Sequence, residues 1–455
     1  MRHFFFSPAI LFAAALVVAP GVAQSADIDP AKTEQVRAKL AGLSDSGRTQ
    51  LTKSAVKIAG DSSRSNAERV AAIRSLALLQ NPSSVAALKA LFSNSALADD
   101  ARAAVQLIPG NDATAALLEG LAKVNDPKLR AGFIESLGVR RAPEAVNAIK
   151  AYIGSPVSEA ALRAIATIAT PDAFSALNAA PASELKSDLI IDVAAKLLEC
   201  PKCSAKVRSD VLGALRKLSG DTADKDAAFS AYLLRFRFQD ADPALALKSP
   251  NSLERRAAGV FLNSSRDVES GKLLEKALAT AKGEDINTIL GAFENRKQVS
   301  AAPAVRARAE KEKDPLIKAT LIKTLSRIGG ANDIAFFSKL TQDSEPLISD
   351  AAKSALGQVR GKGVTDAFTN IIRDTRAKVG ERSALIDIII RRQLRDAVPA
   401  LIPVLSDTEE DIRIGALKVI ERYATKAQLK QLEKATPTDK TVRNRLAKVV
   451  EKLKR

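Results

Sequence analysis

Histidine, methionine and tryptophan are nearly missing from this chain of 455 residues: it has one His, one Met and no Trp. The first two are His3 and Met1, inside a segment that reads as a removable leader. The chain that remains after removal holds none of the three. Histidine is the commonest general base and a leading metal ligand, so its absence excludes Ser–His–Asp and Cys–His catalysis, His-ligated zinc and His-ligated haem together. Cysteine is scarce as well, with only Cys200 and Cys203, so there is no disulfide framework, and two thiols alone would leave a tetrahedral zinc half-ligated. Aromatics make up 4% and tyrosines number three, too few to supply stacking platforms for nucleic acid. There is no GxSxG elbow, P-loop or dinucleotide fingerprint. No metal, no cofactor and no catalytic residue is expected, and the chain reads as a non-enzyme. Past the leader no apolar run approaches 18 residues, and no Gly/Ser-rich, Pro-rich or low-complexity linker interrupts the chain.

The leader is built as an export signal. Met1-Arg2-His3 is basic, Phe4 to Val18 is apolar but too short to span a bilayer, and Gly21-Val22-Ala23 is a small-residue cleavage site, with Ala26 a second position. No cysteine lies near the site to take a lipid. The expected protein is exported, periplasmic or secreted, with no transmembrane segment after cleavage. Its charge falls from +17 to +16, since the leader removes Arg2 and no acidic residue.

What the chain has is repetition. Asp126-Pro-Lys-Leu-Arg130 … Leu137 returns as Asp314-Pro-Leu-Ile-Lys318 … Leu325, Glu345-Pro-Leu-Ile … Leu356 and Glu409-Glu-Asp-Ile-Arg413 … Ile420. The spacing is about 31 residues, with Ile388 completing the series between Leu356 and Ile420. A fixed period of this size marks an array in which each unit buries its apolar face only against its neighbours. Within a unit, Val70, Ile73, Leu76 and Leu79 fall at helical spacing, Asn81-Pro82 turns the chain, and Val85, Leu88 and Leu91 form a second helix. Capping chemistry agrees: an acid or Ser precedes each first helix, and Glu144, Asp333, Asp366 and Asp396 open second helices. Gly330 and Gly363 are placed to take the left-handed conformation that ends a first helix.

The Asp-Pro-x-apolar-Arg/Lys opening, the small residues of the first helix and a closing Leu-Gly resemble HEAT-like repeats, in particular the short form of phycobilisome-lyase-type proteins. The resemblance covers most of residues 62–455 and implies an all-α, right-handed α-α superhelix of about 11–13 hairpins that binds proteins. Lyase members attach a bilin, but no residue here supports carrying that chemistry across. The chain is divided into a signal peptide (1–23), N-terminal repeats (27–180), irregular helices around the Cys-x-x-Cys pair (181–250) and C-terminal repeats (251–455), in one continuous array.

Two residue groups carry chemistry. Cys200-Pro-Lys-Cys203 reads as a structural disulfide pinning an interhelical turn; a redox dithiol and a reduced or metal-binding pair are the alternatives. The preceding helix places Cys200 at a carboxyl end, where the dipole disfavours a thiolate. Arg306, Arg308, Lys311 and Lys313 lie along one helix, Arg391, Arg392 and Arg395 cluster at a turn, and residues 421–455 carry 11 basic and 4 acidic side chains. These are basic-patch candidates for an acidic protein or anionic envelope polymer; a solvated face with a polar end cap is the alternative. Carboxylate pairs such as Asp99/Asp100 and Glu409/Glu410 read as helix caps.

The expected function is an exported scaffold that engages a protein through a concave surface lined by second helices such as Val85–Phe92, Asp333–Leu340, Asp366–Ile372 and Asp396–Leu405. A binder of anionic polymer and a lyase-like enzyme subunit are the rival readings. Nucleic acid is disfavoured, and oligomeric state is left open.

Overall fold

The structure, a computed structural model, describes residues 28–220 and 223–455. The leader, residues 1–23, and Ala26 lie outside the described residues. Among those described there are 27 α-helices and no strand. They run as thirteen consecutive hairpins and a closing helix, Lys440–Lys454. The fold class is all-α, a HEAT-like stack of helical hairpins, as the period of about 31 predicted.

The chain divides into two compact units, the first ending at Ala228 and the second comprising Phe229–Arg455. In the first, Pro127–Val139 pairs with Val146–Lys150 and is followed by Ser158–Ile168 with Pro171–Ala179. In the second, Ser252–Ser264 pairs with Val268–Leu278, Glu284–Arg296 with Ala302–Lys311, Pro315–Ile328 with Ile334–Leu340, and Pro346–Gln358 with Val364–Arg373. Val379–Arg392 with Val398–Leu401 and Glu410–Tyr423 with Leu429–Lys434 complete it. Each of these first helices packs on its successor. The second unit accordingly has a long buried apolar cluster, continuous from Leu262 to Leu446, beside a smaller one formed by Tyr232, Phe236, Ala246, Ala257 and Ala258. Small residues set the spacing between first helices. A Cβ on Gly138 would stand 2.8 Å from the Ala164 Cα in the next first helix.

Caps begin the helices much as read. Asp126, Asp314 and Asp439 accept from the amides of Leu129, Leu316 and Val442 at 2.7–2.8 Å. Ser65 and Glu68 form a reciprocal capping box. The paired carboxylates differ from expectation. Asp99 and Asp100 make no cap and bind Arg102 and Arg74 instead, and Glu409 caps nothing with its side chain.

The turns inside hairpins also differ. Gly330 is extended, and Gly363, though left-handed, opens its second helix instead of closing the first. The left-handed residue after a first helix is mostly not glycine: Gln80, Arg141, Ala169, Lys297 and Gln393 hold it at φ 49–55°. Such a residue costs roughly 1–2 kcal/mol. At Arg141, Lys297 and Gln393 the turn offsets this by closing the helix with a bond six residues long: Ala142 N to Leu137 O, Gln298 N to Phe293 O and Leu394 N to Ile389 O, at 2.9–3.2 Å.

Arginines finish both ends of the first helices. At the amino end Arg130, Arg255, Arg382, Arg413 and Arg443, each four positions past the cap, donate to carbonyls of the link just crossed or of the helix before it. This is the role of the basic residue in the Asp-Pro-x-apolar-Arg opening. At the carboxyl end the reach is backwards by a whole repeat. Arg140 donates to Gln106 O, Ile108 O and Gly110 O at 2.5–3.0 Å, Arg296 to Leu262 O at 3.2 Å and Arg392 to Leu356 O at 2.8 Å. Helix ends expose four carbonyls that lack internal partners, and the following hairpin supplies donors for them.

Candidate functional site

The expected basic patch breaks apart. Arg306, on the helix Ala302–Lys311, donates to Asn332 O at 2.9 Å and faces the buried Asp333 of the next hairpin at 3.4 Å. Arg308 pairs with Glu312 at 2.7 Å. Arg392 caps Leu356 and lies 5.4 Å from the Phe368 ring centroid, where burial and the nearby Arg360 disfavour its charge. Arg306 and Arg392 thus tie hairpins together, and Arg308 is neutralised at the end of its own helix. Lys311 and Lys313 are exposed at the link between hairpins, while Arg391 and Arg395 are exposed at a turn inside a hairpin, two hairpins further along.

The exposed positive charge follows those inner turns. Arg266, Lys297, Arg360, Lys362, Arg395 and Lys426 occupy five of the six inner turns of the second unit from residue 265 onward, and all are exposed. Among the described residues none of the six is in an ion pair. The first unit shows the pattern less: its inner turns at residues 80–84, 108–110 and 169–170 carry no charge, while Arg141 and Lys202 are exposed in two others.

Two clefts open along this turn edge. One of about 720 Å³ is lined by Asn263, Arg266, Val268, Arg296, Lys297 and Gln298, among others. The second, about 420 Å³, is lined by Glu294, Asn295, Lys297, Val299, Arg327 and Ile328. Asn295 and Lys297 belong to both, so the pair forms one groove over three hairpins. Its floor is fixed. Arg296 donates to Gln298 Oε1 at 3.0 Å and Leu262 O at 3.2 Å, and Gln298 donates to Glu275 at 2.6 Å. Arg327 is neutralised by Glu294, which Thr324 also holds at 2.8 Å. Asp267, beside Arg266, is turned to its own helix: the Ser265 hydroxyl, the Ser270 amide and the Ser270 hydroxyl keep its carboxyl far below the usual range.

Above this floor stand two exposed cations, Arg266 and Lys297, and two exposed aliphatics, Val268 and Val299, at 74% and 67% exposure. Each pair is separated by 31 residues, one repeat. The sequence reading missed them because it counted basic clusters along the chain; comparing positions one period apart would have shown them. A third cleft, about 340 Å³, lies at the opposite end of these helices beside the Arg255–Asp285 ion pair.

Cys200 ends the helix Glu184–Glu199, as expected, and Cys203 follows in the turn; both are free thiols and half-buried. The Cys203 thiol and the Lys202 amide donate to the Cys200 sulfur and lower its pKa, and the same contact raises that of Cys203. Among the described residues no group of three His, Cys, Asp or Glu could hold a metal ion, and no helix is long and apolar enough to cross a membrane.

No protein-family model matches the chain, and no curated protein matches it. Solved structures do. Human deoxyhypusine hydroxylase in complex with glycerol aligns at 16% identity over 68% of this chain and 96% of that one, with a TM-score of 0.25. Kap95p, in a structure with RanGDP, aligns at 11% identity over 92% of this chain and 63% of its own, TM-score 0.41. The karyopherin Kap121p bound to the SUMO protease Ulp1p aligns at 12%, over 88% and 53%, TM-score 0.45. The chain thus spans about half of Kap121p. At these identities and scores none of the likenesses bears on what this chain binds.

Proposed function

We propose that the protein is an exported, non-catalytic scaffold that holds a protein partner against the surface of its second helices. The observation that carries this reading is the continuity of the buried cluster from Leu262 to Leu446. Apolar side chains are consumed hairpin against hairpin, and what remains exposed is a long row of helix surfaces, the form of site that recognises an extended partner by shape and charge. Placing a photo-crosslinking residue at Lys339 or Asn370, exposed on second helices, should give adducts with a discrete partner, while Lys323 and Asp387, exposed on first helices, should not. Equal adducts at all four positions would count against the reading.

Export rests on the basic, apolar and small-residue order of residues 1–23. Amino-terminal sequencing of the protein from its native host should begin after Ala23 or Ala26, in a periplasmic or secreted fraction. An uncleaved cytoplasmic protein would refute it. An anionic envelope polymer is a second reading, favoured by the unpaired cations of the inner-turn edge.

A further inference from the structure

We infer that the groove over the inner turns at 263–268, 295–300 and 327–328 binds an extended acidic peptide with aliphatic residues next to its acids. This rests on the scaffold reading and supplies the chemistry of one contact with the partner. One feature of the groove selects a peptide over a uniform polyanion. Val268 and Val299 stand exposed beside the cations, and a phosphate polymer gains nothing by covering them, whereas Leu, Ile or Val would.

The repeat also fixes a register. Adjacent packed helices lie about 8–10 Å apart, and an extended chain advances roughly 3.3 Å per residue. Arg266 and Lys297, one hairpin apart, therefore match acids about three residues apart, with an aliphatic beside each for Val268 and Val299. Three hairpins span roughly six residues of such a peptide.

The test uses the full chain and a fluorescein-labelled peptide of about eight residues with Asp-Leu at every third position, measured by polarisation at low and physiological salt. Its counterpart with Leu replaced by Ser, and inorganic polyphosphate, are the comparison probes. The Asp-Leu peptide should bind, and Arg266→Glu with Lys297→Glu should weaken it by at least about tenfold. Val268→Ser with Val299→Ser should weaken it about fivefold or more and leave polyphosphate unaffected. Lys311→Glu with Lys313→Glu, at the other edge, should change nothing. All these positions are exposed, and an unchanged circular dichroism spectrum and melting temperature certify each variant. No binding by the parent chain, equal binding of the Leu and Ser peptides, or indifference to Arg266→Glu with Lys297→Glu overturns the proposal; equal binding together with polyphosphate retention assigns the edge to polyanions. Crosslinks at Lys339 and Asn370 that survive a negative result here leave the scaffold reading standing.

Discussion

Arg382 and Asp407 are buried against one another, their side chains 1% and 5% exposed, in successive hairpins of the second unit. Arg382 also donates to Ile372 O at 2.7 Å, so one guanidinium ties the end of one second helix to the link that begins the next first helix. Removing one member of such a pair strands the other charge. Asp407→Ala should therefore cost about 3–5 kcal/mol in urea denaturation. Arg382→Met with Asp407→Leu should cost less than the single change.

The same pair gives a pH dependence. Burial pushes the Asp407 carboxyl up, but the Arg382 donors, the Glu409 amide and the Arg413 charge outweigh it and hold its pKa below the ordinary value. A depressed native pKa means that the unfolded chain takes up the proton first. The contribution is full above the unfolded carboxylate value near 4 and is lost as pH falls below it through the native value. Stability of the parent should drop in that window more steeply than that of the double variant. Parallel profiles would contradict this.

Arg140 closes the carbonyl end of the helix Ala98–Leu107 from the following hairpin and also donates to Thr114 Oγ1 at 3.1 Å. Arg140→Ala should cost about 1–3 kcal/mol, because several carbonyls, two of them partly buried, lose a charged donor. Hydrogen exchange should accelerate in residues 105–114 first. Arg395→Ala, at an exposed position, should stay within about 0.5 kcal/mol of the parent.

Gly138 tests the packing of first helices. Alanine gains roughly 1 kcal/mol of helix propensity, but its Cβ meets the Ala164 backbone, which has no rotamer to move. Overpacking of this kind costs about 1–3 kcal/mol, so Gly138→Ala should be destabilising by thermal melt. A stabilised variant would show that the two helices can separate freely.

The thiol pair predicts a difference in reactivity. Cys200, assisted by the Cys203 thiol and the Lys202 amide, should alkylate faster than Cys203 near neutral pH, and Cys203→Ala should slow it a few-fold. Protein recovered from an oxidising compartment should yield no free thiol if the pair serves as a structural disulfide; two reactive thiols would sink that role.

The repeat, the hairpins and most first-helix caps were legible because period and capping are local properties of the chain. Side-chain partners were not. Arg306 looks free along the chain, and its partner Asp333 comes 27 residues later, almost one repeat on. The Arg327–Glu294 pair spans 33 residues and Lys89–Glu119 spans 30. Charge counted in a short window mistakes such ties for a patch, since stacking brings together residues one period apart. The same blindness hid Arg266 with Lys297 and Val268 with Val299, which are each unremarkable alone. The turns misled for a different reason. Glycine is the cheapest left-handed residue, but a six-residue closing bond makes lysine, arginine or glutamine acceptable there.

Backward capping by arginine gives the stack a direction. Trimming repeats from the carboxyl side strips donors from carbonyls that stay behind, whereas trimming from the amino side releases guanidinium groups that water solvates well. Progressive deletion should thus be tolerated further from one end than from the other, and fraying should advance toward the amino terminus.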